Sequence, residues 1–265
     1  MQVTDLKISI ITVCLNAAKT IRKTIESVAN QTVLPFEYII IDGGSTDGTL
    51  EIIKEYGSLI THVISEKDAG ISDAFNKGIR LASGDLIGIL NADDWLEDDT
   101  LRLVAENIKE GDVVHGKVQY WRGEKKDYLA EGNHLLLGKE MTIHHPTVFV
   151  KKSVYDSLGG FKLDYRYAMD YELLLRFHIK NVRFIYVNEI LTNMAFDGAS
   201  DKNWKKAIKE SYRAKTENGL PIANAKMYYW KQLSRTFVAR SLTKLGLGIL
   251  LDFYRKNFAL IKKAS

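Results

Sequence analysis

Two hydrophobic periods alternate along the first hundred residues. Lys7 to Cys14 is a short, β-branched, nearly continuous apolar run, the pattern of a strand covered on both faces. Thr20 to Ala29 then sets Ile21, Ile25 and Val28 at helical spacing. The scheme repeats with a second buried strand over Glu37 to Ile41. Thr49 to Tyr56 carries Leu50, Ile52 and Ile53 in a helical pattern, with Ser45, Thr46 and Asp47 as candidate caps. A third strand covers Ile60 to Ile64, a third helix Ile71 to Ala82, and a fourth strand Asp85 to Leu90. Ala74, Phe75, Gly78, Ile79 and Ala82 share one stripe of that third helix. Such a β-α-β-α order predicts a mainly parallel sheet with helices on both faces. Beyond residue 100 the alternation decays. Strands are predicted over 113–121, 147–150 and 182–187, and a helix over 169–178 with Leu173, Leu174 and Phe177 inward. From Asp201 onward the pattern is helical, with Pro221 as a predicted break.

In open parallel sheets, ligands sit beyond the carboxyl ends of the strands. Each predicted strand is followed there by polar residues: Leu15-Asn16, Asp42 to Gly48, Glu66 to Gly70, and Asn91 to Asp94. Crowded carboxylates cost stability unless a cation or a donor-rich ligand joins them. The Gly43 to Gly48 run is not a Walker loop, because Thr49-Leu50 stands where Lys-Ser/Thr is needed. It is not a dinucleotide fingerprint either, which belongs after the first strand. A tight turn with a helix cap explains it equally well. Asp42 differs, since a carboxylate ending a buried strand needs a partner. Asp93-Asp94 is the stronger signal: magnesium or manganese is commonly held by one or two carboxylates plus substrate phosphates. The competing reading is a helix start, for which Asp98, Asp99 and Thr100 are the better candidates.

At this point the residues carry a family resemblance. Ile-Asp-Gly-Gly-Ser-Thr-Asp-Gly-Thr (41–49), Ser-Glu-Lys-Asp-Ala-Gly-Ile-Ser-Asp-Ala-Phe-Asn-Lys-Gly (65–78) and Ser-Gly-Asp-Leu-Ile-Gly-Ile-Leu-Asn-Ala-Asp-Asp (83–94) come in order. His-Pro-Thr-Val-Phe (145–149), Gly-Gly-Phe (159–161) and Asp-Tyr-Glu-Leu-Leu-Leu-Arg (170–176) follow. Residues 7 to about 200 resemble a family 2 glycosyltransferase with the glycosyltransferase-A fold, and are similar to bacterial O-antigen and capsule transferases. The resemblance implies an α/β, Rossmann-like catalytic domain over 1–200, its nucleotide half about 1–110 and its acceptor half about 111–200. A helical extension would occupy 201–265. The resemblance further implies that Asp42 accepts a hydrogen bond from the nucleobase, that Thr12 and Asn16 line the same pocket, and that Asp73 lies near the nucleotide. Asp93 and Asp94 would grip the diphosphate through a divalent manganese or magnesium. Many relatives have Asp where this chain has Asn91, which keeps an acceptor oxygen and loses the charge.

The same resemblance makes Asp170 the catalytic base. Glu172 is a competing base on a different helix face, and Arg176 pairs with a carboxylate rather than acting in catalysis. His145 is an acceptor-side candidate, with a packed histidine as the equal alternative; His144 is a bystander. The implied reaction is inverting transfer from a nucleotide-sugar, UDP-linked, to a lipid-linked saccharide in cell-surface polysaccharide synthesis. Two rivals remain. A sugar-nucleotide pyrophosphorylase has a related fold, but Leu15-Asn16-Ala17-Ala18 lacks its Gly-rich basic loop. A non-catalytic carbohydrate-binding scaffold would not need Asp42, Asp93, Asp94 and Asp170.

Charge sharpens this picture. Of 265 residues, 46% are hydrophobic and 26% charged, with a net charge of +4, which excludes a disordered chain. Residues 1–200 hold 22 Lys and Arg against 29 Asp and Glu, whereas residues 201–265 hold 15 against 4. Residues 224–263 mix these cations with large apolar side chains, a composition suited to an anionic membrane surface. A helical cap or a dimer interface accounts for it as well. No nucleic-acid module accompanies the charge. No apolar run predicts a membrane span, and the N-terminus does not read as a secretion signal. Cys14 is the only cysteine, which fits a reducing compartment. The expected location is cytoplasmic, peripheral at the inner face of the plasma membrane.

Overall fold

The structure, a computed structural model, describes residues 6–195, 203–247 and 250. The chain runs through β1 (Ile8–Cys14), α1 (Ile21–Ala29), β2 (Glu37–Asp42), α2 (Thr49–Glu55), β3 (His62–Ser65), α3 (Ile71–Leu81) and β4 (Leu86–Asn91). It continues through β5 (Trp95–Leu96), α4 (Thr100–Asn107), β6 (Val113–Arg122), β7 (Lys125–Ala130), β8 (Phe149–Lys151), α5 (Lys152–Leu158), α6 (Met169–Ile179) and β9 (Phe184–Ala195). Two further helices follow, α7 (Trp204–Glu217) and α8 (Ile222–Lys244).

One sheet has the order β3-β2-β1-β4-β8-β6-β9-β5, with β7 paired to β6. Its first four strands are all parallel. In the second half β8 is antiparallel to both β4 and β6, β9 is parallel to β6, and β5 is antiparallel to β9. Parallel pairing is thus confined mainly to the first 91 residues, where the two periods alternate most clearly.

The continuous apolar runs are explained by burial on both faces. Ile11, Val13, Ile39 and Ile41 point into one core with Phe75 and Ile79 of α3 and Leu173 to Leu175 of α6. Ile8, Ile10, Tyr38 and Ile40 point into the other with Ile21 and Ile25 of α1 and Leu101 of α4. Gly78 lets α3 lie close on the sheet, since a Cβ there would stand 2.4 Å from Ile11 Cγ2. By contrast β3, at the sheet edge, is largely exposed. The hydrophobic pattern does not mark β5, β7 or α5, and it ends β9 at Val187. The strand runs on to Ala195 through the polar pair Asn188-Glu189.

Candidate active site

The exits of β1, β2, β3 and β4 lie at one edge, because Cys14 is in register with Asp42, Asp42 with Ser65, and Val13 with Asn91. Asp42 is fully buried there. Its Oδ2 accepts from the Gly44 N–H (3.1 Å), the Ser45 N–H (3.0 Å) and Ser65 Oγ (2.6 Å). Its Oδ1 accepts from Ser45 Oγ and from Cys14 Sγ at 3.5 Å. Burial pushes this carboxyl up, and the Ser45 and Ser65 bonds outweigh it, leaving it below its ordinary range. These five donors exhaust the roughly four lone-pair sites of a carboxylate. Asp42 therefore anchors the 43–48 turn, and the structure leaves it no oxygen for a nucleobase. Thr12 also departs from expectation: it is fully buried, its hydroxyl 3.0 Å from that of Tyr38. The strand continues two residues past it, so the pocket begins only after Cys14.

Asn16 does reach the edge. It adopts a left-handed backbone (φ +51°) and is exposed. Its Oδ1 accepts the Thr46 N–H at 2.9 Å, and its own N–H donates to Ser45 Oγ at 2.7 Å. The first two strand exits are thereby stitched together. Past β3, Lys77 of α3 answers much of the crowded charge from inside the chain. Its Nζ lies 2.7 Å from Glu66 Oε1, 2.7 Å from Asp68 Oδ1 and 3.6 Å from Asp73 Oδ2. Asp73 also accepts the Ala69 N–H at 3.1 Å. That bond, helped by Lys77, holds its carboxyl below the usual range. The sequence did not single out Lys77; its i, i+4 spacing from Asp73 was the available signal.

At the β4 exit the two adjacent aspartates differ. Asp93 is exposed. Asp94 is only 2% exposed and accepts one side-chain bond, from Asn91 Nδ2 at 3.0 Å. Burial, reinforced by the Asp93 charge, raises its carboxyl well above the ordinary range. Asn91 Oδ1 is buried without a hydrogen-bond partner. Among the described residues no three His, Cys, Asp or Glu side chains come together as an ion cage. A buried, under-compensated carboxylate beside an exposed one and an orphaned amide oxygen fits a hard cation completed by substrate oxygens. Asp98 and Asp99 are not part of this group; Asp99 stands at the N-cap position of α4 without a side-chain cap bond and pairs with Arg102 and the Thr32 hydroxyl.

Asp170 lies in the first turn of α6, which shares a core with α3 on one face of the sheet, and its Oδ1 is buried without a hydrogen-bond partner. His145 is 7% exposed and packs between Phe75 and Phe161, with ring centroids 5.4 and 5.6 Å away. Burial lowers its pKa, and the nearby Asp170 charge opposes that shift. His144 is half-buried, its Nδ1 3.1 Å from the Tyr120 hydroxyl. Glu172 is fully buried and locked to Lys162 at 2.9 Å and Arg176 at 3.1 Å. Burial would raise its pKa, and those two cations hold it low, so it is a structural ion pair and not a poised base. Arg176 also donates to the carbonyls of Leu158, Gly159 and Gly160.

The α6 N-terminus is supported from α7. Glu210 accepts the N–H groups of Arg166 (3.1 Å), Tyr167 (2.7 Å) and Ala168 (2.9 Å). Glu217 takes the Tyr165 hydroxyl at 2.9 Å, and Asn218 reaches Glu172 at 3.3 Å. The charge balance grouped these residues with the tail, and nothing in the sequence linked them to the site.

A parallel half-sheet with carboxylates at its strand exits, joined to a mixed half that carries one open aspartate, matches the glycosyltransferase-A arrangement that the sequence resemblance implies. The comparisons with known proteins agree. The family model "Glycosyl transferase family 2" matches residues 9–163, and the chain belongs to that family. A PGL/p-HBAD biosynthesis glycosyltransferase of Mycobacterium tuberculosis is 30% identical over 250 residues, covering 88% of this chain and 94% of its own. The chondroitin synthase of Escherichia coli is 30% identical over 251 residues, covering 89% of this chain and 36% of that longer protein. Among solved structures, S. aureus TarS (residues 1–349) in complex with UDP superposes with a TM-score of 0.65 at 20% identity, covering 88% of this chain and 72% of that one. The mannosyltransferase PcManGT of Pyrobaculum calidifontis, in complex with GDP-Man and Mn2+, gives 0.65 at 18%, covering 95% and 82%. At those identities the structural likeness is one of fold.

Proposed function

We propose that this family 2 enzyme transfers a sugar from a nucleotide-sugar, UDP-linked, to a saccharide acceptor with inversion at the anomeric carbon. The observation that carries the reading is Asp170 Oδ1, a buried carboxylate oxygen with no protein donor. An ionised carboxylate only accepts, so an unengaged oxygen suits a base awaiting a substrate hydroxyl. Asp170 takes the proton of the acceptor hydroxyl as that oxygen bonds to the anomeric carbon. The bond from that carbon to the diphosphate breaks, and the electron pair leaves with the diphosphate. His145, beside Asp170 and wedged between Phe75 and Phe161, stays neutral and borders the acceptor. A divalent manganese or magnesium held by Asp93 and Asp94 would supply positive charge for the departing diphosphate. The UDP and GDP-Man complexes of the fold relatives support the donor class.

The acceptor we propose is lipid-linked, in cell-surface polysaccharide or glycolipid assembly of the O-antigen or capsule kind. The named relatives act in glycolipid and polysaccharide synthesis, which supports that setting. None of the described helices is long and apolar enough to cross a membrane. Recruitment to the cytoplasmic membrane face would therefore fall to α8. Met227, Trp230, Phe237, Val238 and Leu245 are exposed on or just past it, interspersed with Lys226, Lys231 and Lys244. The remaining cations and aromatics beyond residue 250 lie outside the described residues.

Asp170→Asn tests the reaction. Transfer is expected to fall by about 10²- to 10⁴-fold while calorimetric affinity for the nucleotide is retained. Undiminished turnover would move the base elsewhere.

A further inference from the structure

Where α7 braces the start of α6, it also borders an open-sided cavity of about 380 Å³, a size that takes a small ligand. Tyr167 and Tyr212 supply its aromatic walls, and Lys206, Lys209 and Arg213 supply its positive charge. Glu210 lines it too, but both of its oxygens already accept N–H groups of residues 166–168. That engagement has a side effect. Lys206 and Glu210 stand four apart on one helix, the spacing of a surface ion pair, yet Glu210 is turned to the neighbouring backbone and the pair is not made. Lys206 Nζ lies instead 5.7 Å from the centre of the Tyr167 ring. Arg213 is occupied by Asp164 and by Glu217, the latter at 2.9 Å. Lys206 and Lys209 are exposed, and among the described residues neither has a carboxylate partner.

We propose that this cavity seats the phosphate of an amphipathic lipid phosphate, the carrier of the acceptor saccharide; the carrier role rests on the lipid-linked reading above. Two ammonium groups three residues apart share one face of a helix. Each offers N–H donors and no acceptor, which suits a multiply charged oxyanion. The tyrosine rings and the lysine stems add apolar surface, which a hydrocarbon tail can cover and a bare phosphate cannot. The position of the cavity agrees with this. Tyr212 packs edge-on against Tyr229 of α8, with ring centroids 5.6 Å apart. The cavity therefore borders the helix that turns Trp230 and Phe237 outward. Its other wall, Tyr167, comes three residues before Asp170. A carrier held here by its phosphate brings the attached saccharide toward the base.

The test is calorimetry of the full chain, without divalent metal, with n-octyl phosphate below its micelle concentration, inorganic phosphate and n-octyl glucoside. It is repeated on Lys206→Gln combined with Lys209→Gln. Wild type should bind octyl phosphate about 10-fold or more tighter than inorganic phosphate, which lacks the tail. It should prefer octyl phosphate to octyl glucoside by about 10-fold, the share of two exposed cations. The double variant should melt like wild type and lose that second preference. A double variant that binds octyl phosphate as tightly as wild type overturns the proposal, as does a wild type that binds none of the three. Inorganic phosphate bound as tightly as octyl phosphate overturns the lipid source, and octyl glucoside bound as tightly overturns the phosphate. The carrier role is read separately, as label moved from nucleotide-sugar into the butanol-extractable lipid of a membrane preparation. Octyl phosphate should inhibit that transfer in competition with the lipid. Label confined to water-soluble saccharide, with the binding pattern intact, defeats the lipid-linked reading and leaves the phosphate site standing.

Discussion

Asp94 shows what a single buried carboxylate costs the folded chain. Its pKa is raised by burial and by Asp93, so the folded state holds the proton more tightly than the unfolded chain. The cost is absent below the unfolded value, near 4, and accumulates as pH rises toward the folded value. Asp94→Asn should therefore raise the melting temperature of metal-free enzyme near neutral pH and leave it unchanged below about pH 4. The same variant should lose the manganese-dependent part of UDP affinity. A variant that melts lower than wild type at pH 7 without metal would show that Asp94 is compensated from within. The sequence marks the pair because adjacent carboxylates leaving a buried strand have few structural uses; that Asp94 is buried and Asp93 exposed emerges only from the fold. Asp42 was legible as a buried carboxylate but not as a satisfied one. Its partners Ser45 and Ser65 lie on different strand exits, and only the β2–β3 register brings the second within reach.

At the scale of elements, α6 depends on α7. The N–H groups that open a helix have no partner inside it, and here Glu210 accepts from three residues at and just before the α6 N-terminus. Glu210→Ala would leave those donors to water, at about 1–3 kcal/mol for each that stays buried. The segment it holds ends two residues before Asp170. Glu210→Ala should therefore reduce kcat by about 10-fold or more, with nucleotide affinity unchanged; Glu210→Gln, which retains an acceptor oxygen, should recover most of the loss. An equal loss in both variants would mean that charge, not acceptance, is what matters. Helical periodicity predicted α6 and the helical character of α7 correctly. It was silent on their pairing, because a glutamate on a basic helix looks like a solvated residue until a neighbouring backbone comes to it. β7 and α5 were missed for a related reason: β7 is mostly exposed, and α5 buries only Val154 and Tyr155. Neither has enough apolar residues to set a period.

For the whole molecule, the charge asymmetry divides differently from the packing. The Ala214 side chain of α7 belongs to the core beneath α6, whereas α8 buries only Ala225. The most exposed helix is therefore α8, a 23-residue helix spanning about 34 Å, tied down on one side by Tyr229 against Tyr212 and by Arg235 against Glu140. Full-length enzyme should co-sediment with vesicles containing anionic lipid and not with neutral ones. Trp230→Ser combined with Phe237→Ser should weaken that binding without changing turnover on a soluble acceptor. Equal recovery on neutral vesicles would reject a charge-assisted membrane role.

The Glu210 bond also has a consequence for the order in which the enzyme comes into being. Chains are made from the N-terminus, and folding begins during synthesis. Strands β1 to β4, with their carboxylate edge, are complete by residue 91, long before residue 210 has been polymerised. Both cores that cover those strands are closed by residues made later, Leu173 to Leu175 on one face and Leu191 on the other. The emerging donor half therefore keeps apolar surface open until α6 and its Glu210 brace have left the ribosome.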